Sequence, residues 1–95
     1  MAQPKGRKQE LQDIDTLMST PGGARFIWRL LTLSGVFRTS FSSDPLVMAM
    51  NEGQRNTGLK LLSDVMEACP DKYFTMMRTA KARTAKEEED ARHVA

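Results

Sequence analysis

Thr20-Pro21-Gly22-Gly23-Ala24-Arg25-Phe26-Ile27-Trp28-Arg29-Leu30-Leu31-Thr32-Leu33-Ser34-Gly35 decides the fold. Thr20 is a helix N-cap whose hydroxyl accepts from a free amide of the first turn. Pro21 fits the first helical position, where its missing N–H leaves no bond unmade. Gly35 suits a left-handed stop after the last turn. Between these marks Phe26, Ile27, Trp28, Leu30, Leu31 and Leu33 leave hardly a polar side. The stretch therefore reads as a helix over 21–34 at the centre of an all-helical core.

The same punctuation recurs in both directions. Upstream, Leu11, Ile14, Leu17 and Met18 keep helical spacing and predict a helix over 8–18. Downstream, Asp44-Pro45 repeats the cap-and-proline device and opens a helix over 45–68. Pro70 opens a fourth, over 70–86, with Tyr73, Phe74, Met77 and Ala80 on its inner side. Between the second and third helices Val36 to Ser43 reads as a loop, with Phe37 and Phe41 as plugs beneath the core. The expectation is an all-α four-helix bundle or orthogonal array. Residues 1–7 read as a disordered basic arm, 8–82 as one helical domain, and 83–95 as a charged extension or tail. The core expected from this pattern is Ile14, Phe26, Ile27, Trp28, Leu30, Leu31, Met50, Leu61, Leu62, Val65, Tyr73, Phe74 and Met77.

The third helix holds the least ordinary stretch, Asn51-Glu52-Gly53-Gln54-Arg55-Asn56-Thr57-Gly58, eight residues without an apolar side chain. Two glycines inside a helix cost about 1 kcal/mol each against alanine. Either the helix kinks over 53–58 or the glycines admit a neighbour closely. Glu52, Arg55 and Asn56 stand three and four apart and can pair. With Asn51 they read as a polar clasp toward Arg25 and Arg29, or as a patch for a partner.

Catalysis finds no furniture here. The single histidine, His93, stands three residues from the end, where a general base cannot be held in place. Cys69 is alone, so no internal disulfide forms, and no His/Cys/carboxylate set has metal-ligand spacing. Cys69 reads as a small buried residue at a helix end. Gly22-Gly23 lacks the remainder of a phosphate-binding loop. Neither enzymatic activity nor a cofactor is expected. The apolar run from Phe26 to Phe37 is too short and too interrupted to span a bilayer.

Net charge is only +2 over 95 residues, yet it is unevenly spread. Lys5, Arg7 and Lys8 open the chain; Arg78, Lys81, Arg83 and Lys86 form a second basic run; Glu87, Glu88, Glu89 and Asp90 then reverse the sign. The cations are candidate phosphate contacts, although nucleic-acid binders usually carry a stronger excess and a reading element. Lys86 with Asp90 is an expected charge pair. Seven methionines suit irregular core gaps, and either Met76 or Leu59 could mark a contact between subunits.

Met18-Ser-Thr-Pro-Gly-Gly-Ala-Arg-Phe-Ile-Trp-Arg-Leu-Leu31, then Gly35-Val-Phe37, Ser40-Phe41, Asn51 to Leu62 and Cys69-Pro-Asp-Lys-Tyr73 carry a resemblance. Together they resemble a small protein family of tailed, mostly short-tailed bacteriophages, typified by a Bordetella phage protein and encoded among virion genes. The similarity spans about Asp15 to Met77. It implies a phage setting, synthesis in the bacterial cytoplasm, a place in the virion or in genome ejection, and virion proteins as partners. It assigns no residue a role. The alternative is a nucleic-acid-binding or host-directed regulator made during infection.

Overall fold

The computed structural model describes residues 6–94. Four helices follow one another: α1 (Arg7–Met18), α2 (Pro21–Ser34), α3 (Pro45–Ala68) and α4 (Pro70–Val94). The all-α expectation holds. The punctuation also holds in detail. Gly23 N–H donates to Thr20 Oγ1 at 3.0 Å, and Leu46 N–H donates to Asp44 Oδ1 at 2.9 Å. Gly35 closes α2 at φ 84°. Val36 N–H then reaches back to Leu31 O (3.5 Å), which lays the Val36 side chain on the helix it has just left.

Three boundaries differ from expectation. α1 begins at Arg7. α3 runs unbroken through both glycines. α4 continues past residue 86 to Val94. Gly58 accounts for the unbroken α3: the C-terminal end of α2 presses directly on it. A Cβ added there would overlap Ser34 Oγ and lie 2.6 Å from Val36 Cγ1, whereas one at Gly53 would meet nothing within 4 Å. Of the two α3 glycines, only Gly58 is a close-approach position.

α2 and α3 each pack on all the other helices, so α2 is central as read. α1 is pinned at both ends. Arg7 pairs with Asp64 (2.7 Å) and Glu67 (2.6 Å) of α3, and Lys72 of α4 donates to Asp15 and to Ser19 Oγ (2.7 Å). The two carboxylates hold the Arg7 guanidinium protonated even more firmly than usual.

The array is long and thin, 56 × 39 × 15 Å, with a radius of gyration of 16.2 Å. A compact chain of this length has a radius near 12 Å. The short dimension is about that of two packed helices. Such a slab cannot cover a helix all round, and this corrects the expected core. Ile27, Leu31 and Val65 are buried, and Ile14, Trp28, Leu61, Leu62 and Tyr73 pack partly buried against them. Phe26, Leu30, Phe74 and Met50 are exposed instead, Met50 to 66%. On α4 the buried methionine is Met76, not the half-buried Met77, so Met76 marks no subunit contact. The loop plug is Val36; Phe37 is exposed, and Phe41 is 75% exposed.

Cys69 is buried between α3 and α4, as expected. Burial pushes its thiol above the ordinary range, and Asp15 adds to the rise. A raised acid favours its protonated form in the folded state. Its contribution to stability is therefore complete below about pH 8.5 and is lost as pH climbs through the higher folded value. At pH 8 an aromatic disulfide reagent should label Cys69 at least about tenfold more slowly in the native protein than in denaturant. Equal rates would show the thiol to be accessible.

Candidate functional site

Of the residues read as a clasp toward Arg25 and Arg29, Asn51 and Glu52 bind the α2–α3 loop instead. Glu52 accepts from Ser40 Oγ (2.9 Å), and Asn51 Nδ2 donates to Ser40 O at 3.4 Å. The polar stretch of α3 therefore ties down the α2–α3 loop, not Arg25 or Arg29. Among the described residues no ion pair joins Glu52 to Arg55. Arg55 lies half-buried beside Arg38 on a small polar recess of about 70 Å³, and its Nε has no partner. Asn56 is exposed.

Arg25 and Arg29 stand on the other side of α2, around Trp28. There a cleft of about 360 Å³ lies between the start of α2 and α4, walled by Thr20, Ala24, Trp28, Thr75, Met76 and Thr79. It opens into a broader trough of about 610 Å³ along the outer side of α2, past Phe26, Arg29 and Leu33. Arg25, Trp28 and Arg83 border both. No carboxylate lines either one; the charged side chains there are Arg25, Arg29, Lys72 and Arg83. Trp28 packs on Phe37 with ring centroids 5.1 Å apart, and the Arg29 guanidinium lies 5.5 Å above the Phe26 ring. This is a cation–π contact between neighbouring turns of α2. Reading α2 alone did not reveal this cleft, because half of it belongs to α4. The signal was in α4's own spacing: Lys72, Met76, Thr79 and Arg83 recur at helical intervals.

The cations suggested for phosphate are dispersed. Lys5 lies outside the described residues. Arg7 is engaged by α3, and Lys8 is exposed on α1. Arg78 donates to Thr75 Oγ1 at 3.4 Å. At about 100° per residue, Lys81 and Arg83 project from opposite sides of α4, with Lys86 on a third bearing. They make no single strip. Among the described residues Lys86 and Asp90 do not pair, and the one ion contact in the tail is His93 with Glu89 at 3.7 Å.

A second surface is apolar. Leu46, Val47 and Met50 occupy one side of the first turns of α3, and all three are exposed, Leu46 to 78%. The neighbouring loop adds exposed Phe41. In total the chain exposes 7174 Å². A compact monomer of 10.7 kDa exposes about 5,500 Å². Among the described residues no three His, Cys, Asp or Glu side chains are placed to share a metal ion, and no helix is long and apolar enough to cross a membrane.

A thin helical array with an acid-free cleft between α2 and α4 and exposed apolar side chains on the first turns of α3 defines a small all-α protein whose distinctive features lie on its surface. The family model for Bbp19-like phage protein matches residues 14–78, and the chain belongs to that family: it is a phage protein. The match covers α2, α3 and the first third of α4, and it stops before the reversal of charge. No curated protein and no solved structure matches the chain.

Proposed function

We propose that this is a non-catalytic accessory protein of the phage particle, held in the head or beside the portal and tail, acting through contacts with other virion proteins. One observation carries the reading: the excess of exposed surface, with Leu46, Val47, Met50 and Phe41 uncovered. Large apolar side chains left exposed along one side of a helix are a mark of docking, and in a phage protein other phage proteins are the partners at hand. Thinness supports a role in ejection. A slab two helices thick with one modest core presents little resistance to passage through a narrow channel. The test is mass spectrometry of purified virions. Detection of this chain in a fixed ratio to the portal protein is expected; its absence from clean particles removes the virion reading.

Nucleic-acid binding is the second reading, favoured by Arg25, Arg29 and Arg83 standing near Trp28. Such binding would fall steeply with salt. A mobility shift at low salt, lost by 200 mM, is its expected result; no shift at low salt ends it.

A further inference from the structure

We infer that the protein pairs with a second copy of itself, the acidic end of α4 from each copy lying in the arginine-lined cleft of the other.

The argument begins with one side of α4. Lys72, Thr75, Met76, Thr79 and Arg83 form the part of the cleft that α4 supplies, and Met76, Thr79 and Arg83 fall on one stripe of the helix. At about 100° per residue, the positions that continue this side are Glu87 and Asp90, both within about 40° of Arg83. The same stripe thus runs from cationic, against α2, to anionic, beyond it. Glu87 and Asp90 are exposed. Among the described residues no cation lies within 4 Å of either, and no carboxylate lies within 4 Å of Arg83 or Arg25. An arginine four residues before a glutamate is the poorer orientation for pairing along one helix. The two charges are unsatisfied within one chain and complementary between two.

Antiparallel apposition of two such helices about a two-fold axis near residue 85 solves both halves at once. Arg83 of each copy meets Glu87 of the other, and Asp90, which then falls opposite residue 80, meets Arg25 on the same cleft. An isologous contact of this kind closes on itself and stops at a dimer. A partner also accounts for the helix itself. Residues 86–93 are all exposed, and two turns of charged helix with no packed side are marginal in water. The occupant is a second copy rather than an unrelated acidic protein because the required acidic stripe is already present, in phase with the cleft. Arg83, Glu87 and Asp90 lie beyond the family match and Arg25 within it, and the inference does not depend on where in infection the protein acts.

Sedimentation velocity of the full chain from 5 to 200 µM, in 50 and 500 mM NaCl, tests it (about the range in which weak dimers dissociate). A dimer is expected at low salt, weakened about tenfold or more at high salt. The double variants R25E/R83E and E87K/D90K should each be monomeric under the same conditions. Mixed one to one they should form a heterodimer, because each reversed set then faces its complement. Circular dichroism of each variant checks that the helices remain. Should charge reversal disturb the fold, R25Q/R83Q and E87Q/D90Q serve instead, with association lost and no rescue on mixing. A wild-type chain that stays monomeric throughout overturns the inference. So does a dimer indifferent to both variants, which would place the contact on the Leu46–Met50 surface, and so does a mixture of the reversed variants that fails to associate.

Discussion

Gly58→Ala is expected to destabilise the protein by about 2 kcal/mol, while Gly53→Ala stabilises it by about 0.5–1 kcal/mol. In isolation both changes favour a helix by the same amount, since alanine restricts the unfolded chain and propagates the helix better. Their surroundings set them apart. At Gly53 the new methyl enters solvent. At Gly58 it collides with Ser34 and comes within 2.6 Å of Val36 Cγ1. Ser34 cannot swing clear without giving up its bond to Leu31 O (2.9 Å), and Val36 is a stiff β-branched residue already buried in the core. The α2–α3 junction must therefore part. Urea denaturation of the two variants beside the wild type reads the contrast directly. Equal stabilisation by both would mean that α2 does not approach α3 at this point.

Leu31→Ala should be costlier still, about 3–4 kcal/mol. Leu31 and Val65 are the largest side chains with essentially no exposure, and they belong to one cluster with Met18, Ile27, Val36, Cys69 and Met76. A cavity there borders residues from all four helices and from the loop, so no single neighbour can collapse into it. A domain of this size has roughly 5–14 kcal/mol in all. The loss should lower the melting temperature by about 15–25 °C. A fall of only a few degrees would remove Leu31 from the interior.

What the sequence disclosed, it disclosed through local chemistry. Thr20-Pro21, Asp44-Pro45 and Cys69-Pro70 mark helix starts because capping and the missing proline N–H act within three or four residues. Gly35 marks a stop for the same reason. Cys69 was legible as buried because a small residue between two helix ends has little room to turn outward. The faces were harder to read. Phe26, Leu30, Phe74 and Met50 look like core because they are large and apolar, but burial depends on how many layers stack above a helix, and that is not written in any one segment. Met76 and Met77 differ by one position and 100°. Only the wider rhythm Cys69, Tyr73, Met76, Ala80 distinguishes them. Bulkier Phe37 outweighs Val36 in any ranking by size, although the residue directly after a left-handed glycine is the one that folds back on its helix. The polar stretch of α3 was recognised as a clasp but matched with arginines across the bundle. Its partner is Ser40, in a loop whose path no pattern of charges could fix.

The 15 Å dimension has a mechanical corollary. In a body this shallow, cohesion is stitched rather than bulk: a few ion pairs and one small knot of side chains join rods that are otherwise in water. Tension applied along the chain would unpeel α4 first, from its exposed C-terminal turns toward Met76, before the knot yields. Extension in an optical trap should accordingly show gradual, low-force lengthening followed by a single modest rip, the compliance of a hinge plate rather than the brittleness of a bead.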